Sequence, residues 1–82
     1  MEIAVKLFGP AAQRVAAREV RVTLNGERAA CAALKKALAQ AHPALAEVIA
    51  ASRLAVNYEF AADDDLVSSG DEVALIAMVS GG

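Results

Sequence analysis

Polar and apolar positions alternate at both ends of the chain. In "EIAVKLF" (2–8), Ile3, Val5 and Leu7 fall on one side and Glu2, Lys6 and Phe8 on the other. A period of two predicts a strand with one buried face. Gly9-Pro10 ends it. The next stretch, "AAQRVAA" (11–17), suits either a short helical turn or a loose connection. "REVRVTL" (18–24) alternates again, with Val20, Val22 and Leu24 opposite Arg21 and Thr23, and predicts a second strand antiparallel to the first.

The period then changes. Asn25-Gly26 breaks the alternation, and Asn25 is a candidate helix cap through its side-chain oxygen. Across "ERAACAALKKALAQAH" (27–42), Ala30/Cys31, Leu34, Leu38 and Ala41 recur at three- and four-residue spacing, with Lys35, Lys36 and Gln40 off the stripe. This predicts the main amphipathic helix, in a composition that favours helix. Pro43 stops it and suits the first position of a further turn over 43–51. "RLAVNYEFA" (53–61) predicts a third strand, "ADDDL" an acidic turn, and Ser68-Ser69-Gly70-Asp71 another turn with Gly70 available for positive φ. "EVALIAMV" (72–79) predicts a last strand, apolar on both faces. Such a strand is central in its sheet or reserves one face for a partner.

The predicted order is strand, strand, helix, strand, strand. One main helix crossing over between two strand pairs, on one face of a mixed sheet, is a two-layer α+β roll. The first and last strands then lie side by side in parallel at the centre, the ubiquitin-like β-grasp arrangement.

Composition narrows the classes. Eighty-two residues predict a single domain over 1–82, ending in a flexible tail at 80–82. The net charge is −2 and the basic residues are scattered, so no nucleic-acid footprint is expected. The first ten residues lack the pattern of a signal peptide, and no uncharged apolar run is long enough for a membrane span. The single cysteine, Cys31, forms no internal disulfide and suits a cytoplasmic location.

Several side chains invite a chemical reading and are outweighed by a structural one. Asp63-Asp64-Asp65 are consecutive, without the alternating ligands, glycine and distal glutamate of a calcium loop, so a solvated turn is expected. His42 has no second His or Cys nearby in sequence. Cys31 lies on the apolar stripe and reads as a small buried hydrophobe. No Ser or Cys is paired with a base, so nucleophilic catalysis by this chain is unsupported. No metal ligand set and no bound cofactor are expected.

The outward positions of the strands carry more. With Val73, Leu75, Ala77 and Val79 facing the helix, Ala74, Ile76 and Met78 face outward; Phe8 shares the outward side of the first strand with Lys6, and Phe60 that of the third with Tyr58. Phe8, Phe60, Ile76 and Met78 are therefore expected to form an exposed apolar patch, the mark of a protein interface. The plainer alternative places one or two of them in the core.

"LAVNYEF", an acidic segment and "SGDEVALIAMVSGG" together resemble the small, sulfur-carrying subunit of molybdopterin synthase. The likeness lies in Ala55-Val56-Asn57, in Gly70-Asp71-Glu72-Val73-Ala74, in Val79-Ser80-Gly81-Gly82 and in the opening "VKLFGPAAQ". The resemblance implies that the carboxylate of Gly82 is adenylated and converted to a thiocarboxylate, with Gly81 and Ser80 as its extended arm. It implies ATP use by an activating enzyme, a ubiquitin-activating-like adenylyltransferase, and sulfur supply by a sulfurtransferase or cysteine desulfurase. It further implies a heterotetramer with the large subunit of molybdopterin synthase, which carries the catalytic residues and builds the dithiolene of the molybdenum cofactor. The other readings are a sulfur carrier for thiamine or cysteine synthesis, a ubiquitin-like modifier joined to target lysines through Gly82, and a binding module with an inert tail.

Overall fold

Alternation in the first segment becomes strand β1 (Glu2–Leu7), in which Ile3, Val5 and Leu7 are all buried. The structure, a computed structural model, describes residues 1–78. Ser80, Gly81 and Gly82, with the flexibility expected of them, lie outside the described residues. β1 ends one residue earlier than its alternation, because Phe8 is the extended cap of helix α1 (Gly9–Val15). Gly9 adopts a φ of +52° at this sharp exit, and Pro10 occupies the first turn, where its missing N–H costs nothing. The stretch left open between turn and loop is thus helical. It stops at Ala16, left-handed at φ +53°, with the Ala17 N–H donating to the Ala12 carbonyl at 3.1 Å.

Strand β2 (Glu19–Thr23) returns antiparallel to β1, with Ile3 opposite Val22 and Val5 opposite Val20. A two-residue strand β3 (Ala29–Ala30), the main helix α2 (Cys31–Ala41), a single 3₁₀ turn (Pro43–Leu45) and the short helix α3 (Ala46–Ala50) follow. Then come β4 (Ser52–Val56), β5 (Glu59–Phe60), β6 (Leu66–Val67) and β7 (Val73–Ala77). The five-stranded sheet has the order β2-β1-β7-β4-β5. β7 runs parallel to β1 and antiparallel to β4, and takes the centre expected of a strand that is apolar on both faces.

All helices lie on the face that carries Ile3, Val5, Leu7, Leu54, Val73 and Leu75. The core closes on Ala11, Cys31, Leu34, Leu38, Leu45, Val48 and Ile49 from the helical layer. This is the mixed-sheet α+β roll that the element order predicts, with two short helices added to the main one. Among the described residues the one buried polar side chain, Ser52, donates its hydroxyl to the Val48 carbonyl, so its burial is compensated.

Three local expectations are corrected. The main helix begins at Cys31, four residues later than the spacing suggests, because Ala29 and Ala30 pair antiparallel with Val67 and Leu66. Its first amides are satisfied from a distance: the Cys31 N–H donates to the Asp65 carbonyl at 2.8 Å and the Ala32 N–H to that of Asp63 at 2.9 Å. Asn25 therefore caps nothing, and the acidic turn's backbone does the work instead. Second, residues 53–61 form a hairpin, β4 and β5 joined through Asn57-Tyr58, rather than one strand. Third, Gly70 does not use positive φ; among the described residues the positive-φ glycines are Gly9 and Gly26.

The acids of this turn have structural partners. Asp63 accepts from Lys35 Nζ at 3.0 Å, and Asp65 accepts from the Ala62 N–H at 2.8 Å. Burial, and then the charges of Asp65 and Asp63, push the Cys31 thiol above its ordinary range, so it is an inert apolar group. Cys31 should resist alkylation by iodoacetamide in the folded protein and react once urea unfolds it. Leu38→Ala should cost about 2–5 kcal/mol in urea unfolding, whereas Lys36→Ala, on the exposed side of the same helix, should stay within about 0.5 kcal/mol.

Candidate functional site: the open face of the sheet

The strand positions that alternate with the core positions point away from the helices. Register aligns them in rows across the sheet. Lys6, Ala74, Ala55 and Phe60 stand opposite one another on β1, β7, β4 and β5. One step toward the chain's C-terminal end, Ile76 is opposite Arg53, with Phe8 just past the end of β1. Small Ala74 and Ala55 in mid-row, flanked by larger side chains, leave a concavity. It is a groove of about 380 Å³ lined by Lys6, Phe8, Ala55, Tyr58, Phe60, Glu72, Val73, Ala74 and Ile76.

The aromatic residues around this groove are not core. Phe8 is 56% exposed, Phe60 52% and Tyr58 87%. Met78 is 47% exposed and follows β7, where its N–H donates to the Ala51 carbonyl at 3.0 Å. Of the four apolar residues read from periodicity, the structure brings Phe8, Phe60 and Ile76 into one groove. Met78 is exposed beyond β7 but does not line that groove. Ser80, Gly81 and Gly82, the predicted arm and reactive group, lie outside the described residues.

One end of the groove is built by an unusual turn. Asn57 and Tyr58 both have positive φ, 53° and 70°, as a two-residue hairpin loop demands when the flanking strands twist normally. Asn tolerates this region; tyrosine pays for it. The turn is locked to the segment before β7. The Asn57 N–H donates to the Glu72 carbonyl at 2.7 Å, the Glu72 N–H to Asn57 Oδ1 at 3.0 Å, and Asn57 Nδ2 to Asp71 Oδ1 at 3.2 Å. Asp71 in turn accepts from the Ser68 N–H at 2.9 Å. That bond first, and the Asn57 amide second, hold the Asp71 carboxyl below its ordinary range. Across the groove wall Lys6 Nζ meets Glu72 Oε2 at 2.9 Å, and this hydrogen bond, more than any other influence, raises the lysine's pKa.

Sequence reasoning missed Lys6, Tyr58, Glu72 and the alanine floor as parts of one site. The signal for the turn was "VNYE": an Asn at the start of a possible two-residue loop, weakened by the tyrosine where glycine is usual. Among the described residues, no group of three or more His, Cys, Asp or Glu is placed to hold a metal ion. No helix among them is long and apolar enough to cross a membrane.

A two-layer β-grasp domain with an apolar groove on its uncovered face defines a ubiquitin-like protein. The chain belongs to the ThiS family, ubiquitin-like sulfur carriers, whose match runs over residues 5–82. Among solved structures, SAMP1 from Haloferax volcanii is similar at 34% identity and a TM-score of 0.82, with 100% of each chain covered. The fold is shared with a putative molybdopterin converting factor subunit 1 from Pyrococcus furiosus, at 22% identity and a TM-score of 0.80 over 96% of this chain and 99% of that one. It is also shared with a chain in the complex of subunits 1 and 2 of the molybdopterin-converting factor from Helicobacter pylori 26695, at 23% identity and a TM-score of 0.68 over 100% of each. No curated protein matches significantly.

Tyr58→Gly should relieve the left-handed strain and raise stability by about 0.5–1 kcal/mol in urea unfolding, glycine's own entropy offsetting part of the gain; a loss of stability would contradict the strained-turn reading. The sign for Asp71 follows from its lowered pKa. Its contribution to stability is present above the ordinary value of 3.8 and is lost as pH falls through the folded value. The Tm of the parent should therefore hold from pH 7 to 5 and fall more steeply below pH 4 than that of Asp71→Ala.

Proposed function

We propose that the chain is a sulfur carrier for molybdopterin synthesis, acting through the carboxylate of Gly82. The observation that carries this reading is a ThiS-family match that runs to Gly82, on a fold whose uncovered face presents the groove beside the strand leading to that residue. The chemistry explains the residue types. A carboxylate is a poor electrophile, so an adenylyltransferase related to ubiquitin-activating enzymes joins it to AMP from ATP and releases pyrophosphate. The terminal sulfur of a persulfide on a sulfurtransferase or cysteine desulfurase attacks the acyl carbon and expels AMP. A second thiol of the donor then cleaves the resulting acyl disulfide, closing a disulfide on the donor and releasing the thiocarboxylate. The hard step thus belongs to ATP and the partner enzyme. The large subunit of molybdopterin synthase receives the tail and transfers the sulfur to the pterin precursor, with its own catalytic residues. Glycines at 81 and 82 let the backbone approach the walls of an enclosed site, because no Cβ intervenes. Phe8, Phe60, Ile76 and Met78 are the surface that both partners dock against.

A second reading has its own support. The Haloferax volcanii structure at 34% identity is that of a protein named small archaeal modifier protein 1. In that reading activated Gly82 is transferred to lysines of target proteins. Both readings begin with the same adenylation, and they part at the acceptor.

Incubation with the activating enzyme, ATP and a sulfur source should increase the intact mass of the chain by one sulfur-for-oxygen exchange. No such increase would sink the carrier reading. Higher-mass conjugates that vanish on deletion of Gly82 would favour the modifier. Gly82→Ala places a methyl beside the reacting carbon; a misplacement of about 1 Å can cost roughly 100-fold in rate. Sulfur transfer to the pterin precursor should fall by that order while the Tm stays unchanged.

A further inference from the structure

Two cations of the open face, Arg21 and Lys6, are paired within the chain. On its β1–β2 side, Arg21 meets Glu2 at 2.9 Å and Glu19 at 3.9 Å. Beside the groove, Lys6 meets Glu72 at 2.9 Å. Arg53 belongs to neither pairing. Its place opposite Ile76, and two residues before the floor residue Ala55, puts it on this face at the end where β7 leads toward Met78. No carboxylate among the described residues pairs with it. It is nevertheless held: its guanidinium carbon lies 4.8 Å from the centroid of the Phe60 ring. Phe60 is itself a groove wall.

A guanidinium stacked on an aromatic face retains free donor edges. The stack restrains a side chain that would otherwise lose much rotamer entropy on pairing, and the planar fork is shaped for bidentate bonds to a carboxylate. A cation with no carboxylate partner among the described residues, at the rim of an apolar groove, is complementary to a surface that offers an apolar side chain flanked by an acid. We propose that Arg53, supported by Phe60, is a specificity-determining residue of this face, and that it pairs with a carboxylate of the protein that seats an apolar side chain in the groove. This rests on the reading above only in taking the activating enzyme and the large subunit as the proteins that dock there.

The test uses the full chain and those two proteins from the same genome, with binding measured across a series of salt concentrations. Arg53→Glu should weaken binding to at least one of them by about 30-fold or more, in the range found when one partner of an interfacial charge pair is lost. Arg53→Gln should weaken it less, and Arg53→Lys should retain part of it by keeping the charge without the planar fork. Association of the parent should slow as salt rises, and that dependence should flatten in Arg53→Gln. A loss of stacking or packing alone would leave the salt dependence intact. Phe60→Leu, which keeps an apolar wall but removes the π face, should resemble Arg53→Lys. Binding of Arg53→Glu within about twofold of the parent, to both proteins, overturns the proposal. Sulfur loading followed by intact mass separates the two levels: a parent that loads sulfur while Arg53→Glu binds normally defeats the Arg53 assignment alone. A parent that binds neither protein and takes up no sulfur defeats both.

Discussion

The pairing on which the rest of the structure depends is the parallel contact between β1 and β7, Val5 with Val73, Lys6 with Ala74 and Leu7 with Leu75. It joins the two ends of the described chain at the centre of the sheet. Parallel neighbours need a crossover connection, and here the whole intervening chain supplies it. Buried Val5, Leu7, Val73 and Leu75 then form a continuous apolar strip on one face, and α2 closes over it with Leu34 and Leu38. Because this contact is so distant in sequence, its loop-closure cost is met only as the full core assembles.

The same pairing creates the site. Each strand has two faces, and burying one necessarily sets the alternate residues on the other. With the helices gathered on one side, Lys6, Ala74, Ile76, Ala55 and Arg53 are left in register on the open side. The groove owes its depth to the two alanines and its walls to Phe8, Phe60 and the strained Tyr58 turn. Tyr58 is costly where it stands: a left-handed backbone and a ring 87% exposed gain nothing from the core. Asn57 and Asp71 tie that turn to the strand that runs on toward the tail, so one end of the groove and the approach to β7 are mechanically one unit.

The ThiS-family assignment and this geometry describe a division of labour. In the proposed function the folded part is the holder: its open face offers recognition, and its last strand runs on in sequence to the Gly-Gly segment. Chemistry is supplied by other proteins in both functional readings, carrier and modifier, which share the fold and the activation step. What separates them is the acceptor.

Much was legible in the sequence, and the reason is periodicity. Alternation by two in 2–8 and 18–24, three-and-four spacing from Cys31 to Leu38, and apolar character on both sides of 73–77 each record which neighbours a residue must bury against. Those records determined the class of fold, the central last strand and the place in the groove of three of the four expected patch residues, Phe8, Phe60 and Ile76. The tertiary structure alone decided the rest. The start of α2 depends on carbonyls of Asp63 and Asp65, more than thirty residues away, because orphan amides can be satisfied by any acceptor the fold brings near. The 53–61 segment became a hairpin because Asn57 found partners at Asp71 and Glu72, which outweighed the cost of Tyr58 at positive φ. The pairing of Lys6 with Glu72 and the stacking of Arg53 on Phe60 likewise join residues that no local pattern relates. Periodicity reports what a segment must hide; only the assembled sheet reports what it places side by side.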